Sequence, residues 1–164
     1  MRDDQATLTA IKNCIGKTVS DISRTQYYFN DREDSDGFGD LEFNFTDSSF
    51  LTLAGIGDAE SIEAVNEKAN LQKTFNLTDD NVCSWKRLNL KDDPNWNKII
   101  YQTLKFAEIE WTIFRGDNRI SACILHFDTD FITFFETGSD CNKFYVNEEL
   151  PKVDKKTKLE KFML

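Results

Sequence analysis

Three sets of side chains in this 164-residue chain have the types and spacing to do chemistry. His126, the single histidine, and Asp128 alternate onto one face of a predicted strand, with Glu108 or Glu110 placed for its neighbour. A histidine beside carboxylates is the makings of a general acid–base group, which also needs a cleft and a tuned pKa. The segment from Asp31 to Glu42 is rich in carboxylates, and its first and last acids stand eleven residues apart, as the outer ligands of an EF-hand loop do. Position six of such a loop is Gly, whereas here it is Asp36, and strand patterns rather than helices flank the segment. No metal and no cofactor is therefore assigned. Cys14, Cys83, Cys123 and Cys141 form no CxxC pair and complete no zinc set with one histidine, so they read as reduced core residues. No Gly-x-Ser-x-Gly elbow and no Walker lysine is present, and Gly55-x-Gly57 opens no dinucleotide-type helix. No catalytic residue is assigned, and an enzyme built on His126 and Asp128 stands as one alternative to a binding protein.

The remaining chemistry is recognition. Tyr27 and Tyr28 are neighbours on a predicted strand and point opposite ways, so one phenol faces outward beside Asp31, Glu33, Asp34, Asp36 and Asp40. An aromatic ring among carboxylates suits capture of a Lys or Arg from another protein. Trp85, flanked by Ser84, Lys86 and Arg87, is the tryptophan open to a partner, while Trp96 and Trp111 fall on apolar stripes and read as core. The expected partner-binding set is Tyr28, Asp31, Glu33, Asp34, Asp36, Asp40 and Trp85. The formal charge is −9, and residues 150–164 carry five Lys against Asp154 and Glu160, so the rest of the chain is more acidic still. That sign repels phosphate backbones and draws cationic proteins, which points to a basic protein partner and away from nucleic acid. No secretory-type start and no bilayer-length apolar run occurs, so a cytoplasmic location without a membrane partner is expected.

These residues must be held by a scaffold that the patterning outlines. Asp3 or Asp4 can start a helix whose Leu8, Ile11 and Ile15 share a stripe, with Gly16 as its left-handed cap. Val19 to Phe29 reads as extended, Asp31 to Asp40 as an acidic loop punctuated by glycine, and Leu41 to Phe45 as a half-buried strand. Phe50 to Ala54 and Ser61 to Val65 follow as strands. Residues 71–93 read as a connection with one extended piece at Trp85 to Leu90. Asp93-Pro94 marks a second helix with Trp96, Ile99, Ile100 and Leu104 on one face. Phe106 to Phe114, Arg119 to Phe127, Phe131 to Glu136 and Asn142 to Val146, joined by polar turns including Gly138-Ser139-Asp140, form an antiparallel meander.

Phe50-Leu51-Thr52-Leu53, then Gly57 and Val65, corresponds to Phe131-Ile132-Thr133-Phe134, then Gly138 and Val146, at an offset of 81 residues. The expected fold class is therefore α+β: mainly antiparallel sheet with two packed helices, built as a pseudo-duplicated helix-plus-meander unit. Residues 1–149 form one domain with halves 1–70 and 93–149, and residues 150–164 are a basic flexible tail.

In size, acidity, meander style and the hairpin from Leu41-Glu42-Phe43-Asn44-Phe45 to Phe50-Leu51-Thr52-Leu53, the chain resembles the small immunity proteins that bacteria encode beside secreted toxins. The resemblance implies inhibition by binding, with a rigid acidic surface covering a cognate toxin and charge steering the encounter. A small-ligand or calcium-responsive module using Asp31 to Glu42 is the other alternative.

Overall fold

The computed structural model describes residues 4–56, 61–71, 74–114, 116–136, 142–150 and 158–163. Among these residues one α-helix, α1 (Asp4–Lys12), precedes eleven strands: β1 (Val19–Phe29), β2 (Arg32–Phe45), β3 (Phe50–Gly55), β4 (Ile62–Val65), β5 (Phe75–Thr78), β6 (Asn81–Asn89), β7 (Phe106–Phe114), β8 (Asp117–His126), β9 (Phe131–Glu136), β10 (Asn142–Val146) and β11 (Lys158–Phe162). Sheet one has the order β4-β3-β2-β1-β6-β5 and sheet two β10-β9-β8-β7-β11, with every pairing antiparallel. The expected α+β class with two packed helices is thus corrected to a predominantly antiparallel β architecture with one helix.

The second helix fails for a tertiary reason. Asp93 Oδ1 accepts the Asn95 N–H at 2.8 Å, a local turn, and only Asn97–Ile99 winds as a single 3-10 turn. Tyr101 then takes a positive φ of 67°, and the chain straightens to pair with the lead-in to β1. There Val19 N–H donates to the Gln102 carbonyl, Leu104 N–H to that of Lys17, and Thr18 bridges Thr103. Backbone pairing with a distant segment overrides the local helical signal. Trp96, Ile99 and Leu104 are buried without that helix, and Ile100 is half-buried against the core.

One apolar core lies between the sheets. Ile22, Leu41, Phe43, Leu51 and Leu53 of sheet one meet Ile109, Leu125, Ile132, Phe134 and Phe144 of sheet two, and Leu8 and Ile11 of α1 close one end. Phe43 to Phe127 and Phe38 to Phe144 are ring contacts across the layers, at 5.9 and 5.2 Å. Burial of these side chains, about 1.5–3 kcal/mol each, is the main force joining the sheets.

Each sheet begins as a four-strand meander, and each adds a returning strand beside the first: β6 beside β1, and β11 beside β7. Residues 158–162, read in sequence as loose tail, are therefore the sheet-two counterpart of β6. Thr52 Oγ1 donates to the Glu67 carbonyl at 2.7 Å, and Thr133 Oγ1 to that of Glu148 at 2.8 Å, the same bond at the same offset. The likeness continues through Val65-Asn66-Glu67 and Val146-Asn147-Glu148. Gly57 and the Gly138 turn lie outside the described residues.

Candidate functional site

The acidic segment is not a loop. It is the first part of β2, joined to β1 by a two-residue turn in which Asn30 and Asp31 have φ of 48° and 59°. Both residue types tolerate this left-handed geometry, which matches the twist of a tight hairpin. Asp, Ser and Gly are poor strand formers, so tertiary contacts must hold the strand here. Between the pairs Tyr28–Glu33 and Gln26–Phe38, β1 spends one residue, Tyr27, while β2 spends four, Asp34 to Gly37. Gln26, fully buried, fixes this bulge: its Nε2 donates to the carbonyls of Asp34 at 2.5 Å, Gly37 at 3.1 Å and Tyr27 at 3.3 Å. A buried amide that serves carbonyls taken out of the ladder makes the irregular backbone tolerable.

The seven residues expected to bind a partner separate into two groups. Tyr28, Asp31, Glu33 and Asp36 are matched with cations of the chain itself. Lys86 Nζ lies 4.2 Å from the centroid of the Tyr28 ring and 3.2 Å from Asp31. Arg24 reaches Glu33 at 3.5 Å, and Lys143 of β10 reaches Asp36 at 2.7 Å. The capture of Lys by an aromatic among carboxylates thus occurs within the molecule. Asp34 caps its own bulge by accepting the Asp36 N–H at 3.0 Å.

Asp40 and Trp85 belong to the other group, on the face of sheet one turned away from the core. Trp85 pairs with Tyr27 across β1 and β6, with ring centroids 5.4 Å apart, and Tyr27 Oη donates to Cys83 Sγ at 2.8 Å. Gly39 makes room for the indole, because a Cβ there would lie 2.6 Å from Trp85 Cζ3 and collide with Thr25 Oγ1. The segment after β4 straps this face: Glu42, buried, accepts the Ala69 N–H at 2.7 Å and the Ser23 hydroxyl at 3.1 Å, while Arg87 donates to Glu42 at 3.3 Å and to the Ala69 carbonyl at 2.6 Å. Thr25, Gly39, Asp40, Asn70, Leu71 and Trp85 then line a cleft of about 70 Å³. Burial pushes the Asp40 carboxyl up to about 6, and the charges of Glu63 and Glu42 add to the rise.

The acid–base alternative is not assembled in this geometry. His126 is stacked between Phe106 and Phe131, at 4.2 and 5.6 Å, and its Nε2 lies 3.5 Å from a Glu108 oxygen that also takes Lys161 at 2.9 Å. Desolvation lowers the His126 pKa against the pull of Glu108. Asp128 instead accepts the Thr103 N–H at 2.7 Å and pairs with Lys105 at 2.9 Å, so it fastens a turn. Cys14, Cys83 and Cys123 are buried free thiols, and Cys141 lies outside the described residues. Among the described residues no three His, Cys, Asp or Glu side chains gather as a metal site, and no helix is long and apolar enough to cross a membrane.

Sequence reasoning missed the β5–β6 hairpin, and with it the exposed side chains of Phe75, Leu77 and Val82. Phe29 and Phe75 each pair with Cys83 and so share one face. The signal was present in Asp79-Asp80-Asn81, a turn between two alternating runs. A comparison of the chain with protein-family models, curated proteins and solved structures returns no match.

Proposed function

We propose that this protein acts by binding a basic protein against the free end of sheet one, as an immunity-type inhibitor of a bacterial toxin would. One observation carries the reading. Of the eight exposed large hydrophobics among the described residues, four lie on the adjoining strands β1, β6 and β5: Phe29 and Phe75 share one face beside Cys83, Val82 turns to the other, and Leu77 stands next to the β5–β6 turn. Scattered apolar residues are ordinary on a surface, whereas a cluster at one sheet end marks an interface. Asp31, Asp79 and Asp80 sit in the two turns beside it, so carboxylates rim an aromatic centre. Apolar anchors supply the affinity of such an arrangement and the rim charges speed encounter with a cationic partner. β5 is also an edge strand with four exposed residues, open to pairing with an added strand.

Coexpression with a basic protein encoded beside its own gene tests this. A complex is expected that weakens as salt rises, and Phe75→Ser with Leu77→Ser should lower its affinity by more than about tenfold. Absence of any complex at low salt, or one indifferent to that double change, would overturn the reading.

A further inference from the structure

We infer that the cleft between Trp85 and Asp40 is a socket for a primary ammonium, filled by a lysine side chain of the bound partner. This rests on the binding role proposed above and names the chemistry of one contact within it.

The carboxylates around the cleft differ in how they are satisfied. Glu42 has Ser23, Arg87 and the Ala69 N–H, and Asp31, Glu33 and Asp36 have Lys86, Arg24 and Lys143. For Asp40 no cation of the described residues is in ion-pair reach, although it is largely removed from water. The charged groups acting on it are Glu42 on its own strand and Glu63 on β4, both of the same sign. Arg87, which stands opposite Thr25 on β6, is committed to Glu42 and Ala69. The Thr25 hydroxyl is already used by the Asp40 N–H, at 2.7 Å. A half-buried carboxylate held among like charges weakens the fold unless a cation meets it.

The walls suit a compact cation. Trp85 supplies an indole, the strongest aromatic partner for an ammonium, and Leu71 supplies apolar contact for a methylene stem. Asn70 stands exposed at the rim with an amide oxygen able to accept from a second N–H. A volume of about 70 Å³ admits an ammonium and the carbon that bears it, not a whole metabolite.

The test is titration of the intact protein with n-butylammonium, followed by the Trp85 indole 15N–1H signal, with n-pentanol as the neutral control. A saturable shift is expected with the ammonium alone, weakening as pH falls through about 6. Asp40→Asn, close in shape, should weaken the response by about tenfold or more, and Trp85→Phe should reduce it as read on the Asp40 and Asn70 amides. No saturable shift, an equal shift with n-pentanol, or full retention in Asp40→Asn would each overturn the inference. If the ammonium fails to bind while a basic partner is still held, the socket falls and the binding role stands. If the ammonium binds while no basic partner is held, the ammonium site stands and its assignment to a partner lysine falls with the binding role.

Discussion

Sheet one and sheet two repeat a single strand order, yet among the described residues sheet one alone carries the four-residue bulge in β2 and the added edge strand β5. Sheet two closes its outer face: His126 is filled in between Phe106 and Phe131, and Glu108 ties β7 to Lys161 of β11. Sheet one leaves its outer face open around Trp85 and Asp40, and its aromatic end open around Phe29 and Phe75. Shared features are those the core requires. The departures need extra devices to hold them, namely the Gln26 amide, Gly39 and the Glu42–Arg87 strap, and they coincide with the surface proposed above to bind a partner.

The strongest challenge to this contrast is truncation of equivalent core residues. Leu51→Ala and Ile132→Ala remove fully buried side chains at matching positions and should each cost about 2–5 kcal/mol in urea unfolding, in one transition. Two separate transitions would show that the sheets do not share one core. Next in size is Gly39→Ala, where the new methyl meets Trp85 and Thr25. It should cost about 1–3 kcal/mol and leave amide signals of sheet two in place, whereas a neutral result would mean the indole is not seated there.

Asp40→Asn should instead stabilise, by about 1–2 kcal/mol at pH 7 and by little at pH 4. The sign follows from a folded pKa raised to about 6: the protonated carboxyl favours the fold, and that favour is lost as pH rises from about 4 through 6. Asp47 has the opposite sign. Held down to about 2 by the Ser49 hydroxyl and N–H and by Lys17, it supports the fold at neutral pH and ceases to as pH falls toward 2. Stability curves of the wild type and Asp40→Asn that stay parallel from pH 4 to 7 would remove the basis for treating Asp40 as unsatisfied. The smallest effect sharpens the likeness rather than the difference: Thr52→Val and Thr133→Val should each cost about 1 kcal/mol, and unequal costs would show that the two crossovers are not equivalent.

Where one periodicity dominated, the scaffold was legible. Ala107, Ile109 and Trp111 against Glu108 and Glu110 made β7 readable, and Leu8 with Ile11 made α1 so. The repeat was visible at Phe50 and Phe131, but its clearest stretch, Val-Asn-Glu at 65–67 and 146–148, lies at the far end of the two hairpins, beyond the aromatic pattern that marks them. What was illegible depends on partners distant in sequence. Asp31 to Asp40 has the composition of a turn and becomes strand because β1 and Gln26 take its backbone. The second helix lost to pairing with residues near Thr18, and β5, an alternation only four residues long, is held as a strand by its pairing with β6. Of the candidate site, Asp40 and Trp85 do meet, while Tyr28 and its neighbouring acids are occupied by Arg24, Lys86 and Lys143, whose positions only the fold reveals.

The bridge from Thr18 to Thr103 joins the approach to β1 with the approach to β7, so corresponding parts of the two halves greet each other across the molecule. Such a contact is what a homodimer uses. Here both sheets sit on one polypeptide, and their association is governed by tethered effective concentration instead of by how much protein the cell makes. The assembly is consequently immune to dilution, which lets its outward surfaces diverge without any risk that the halves part company.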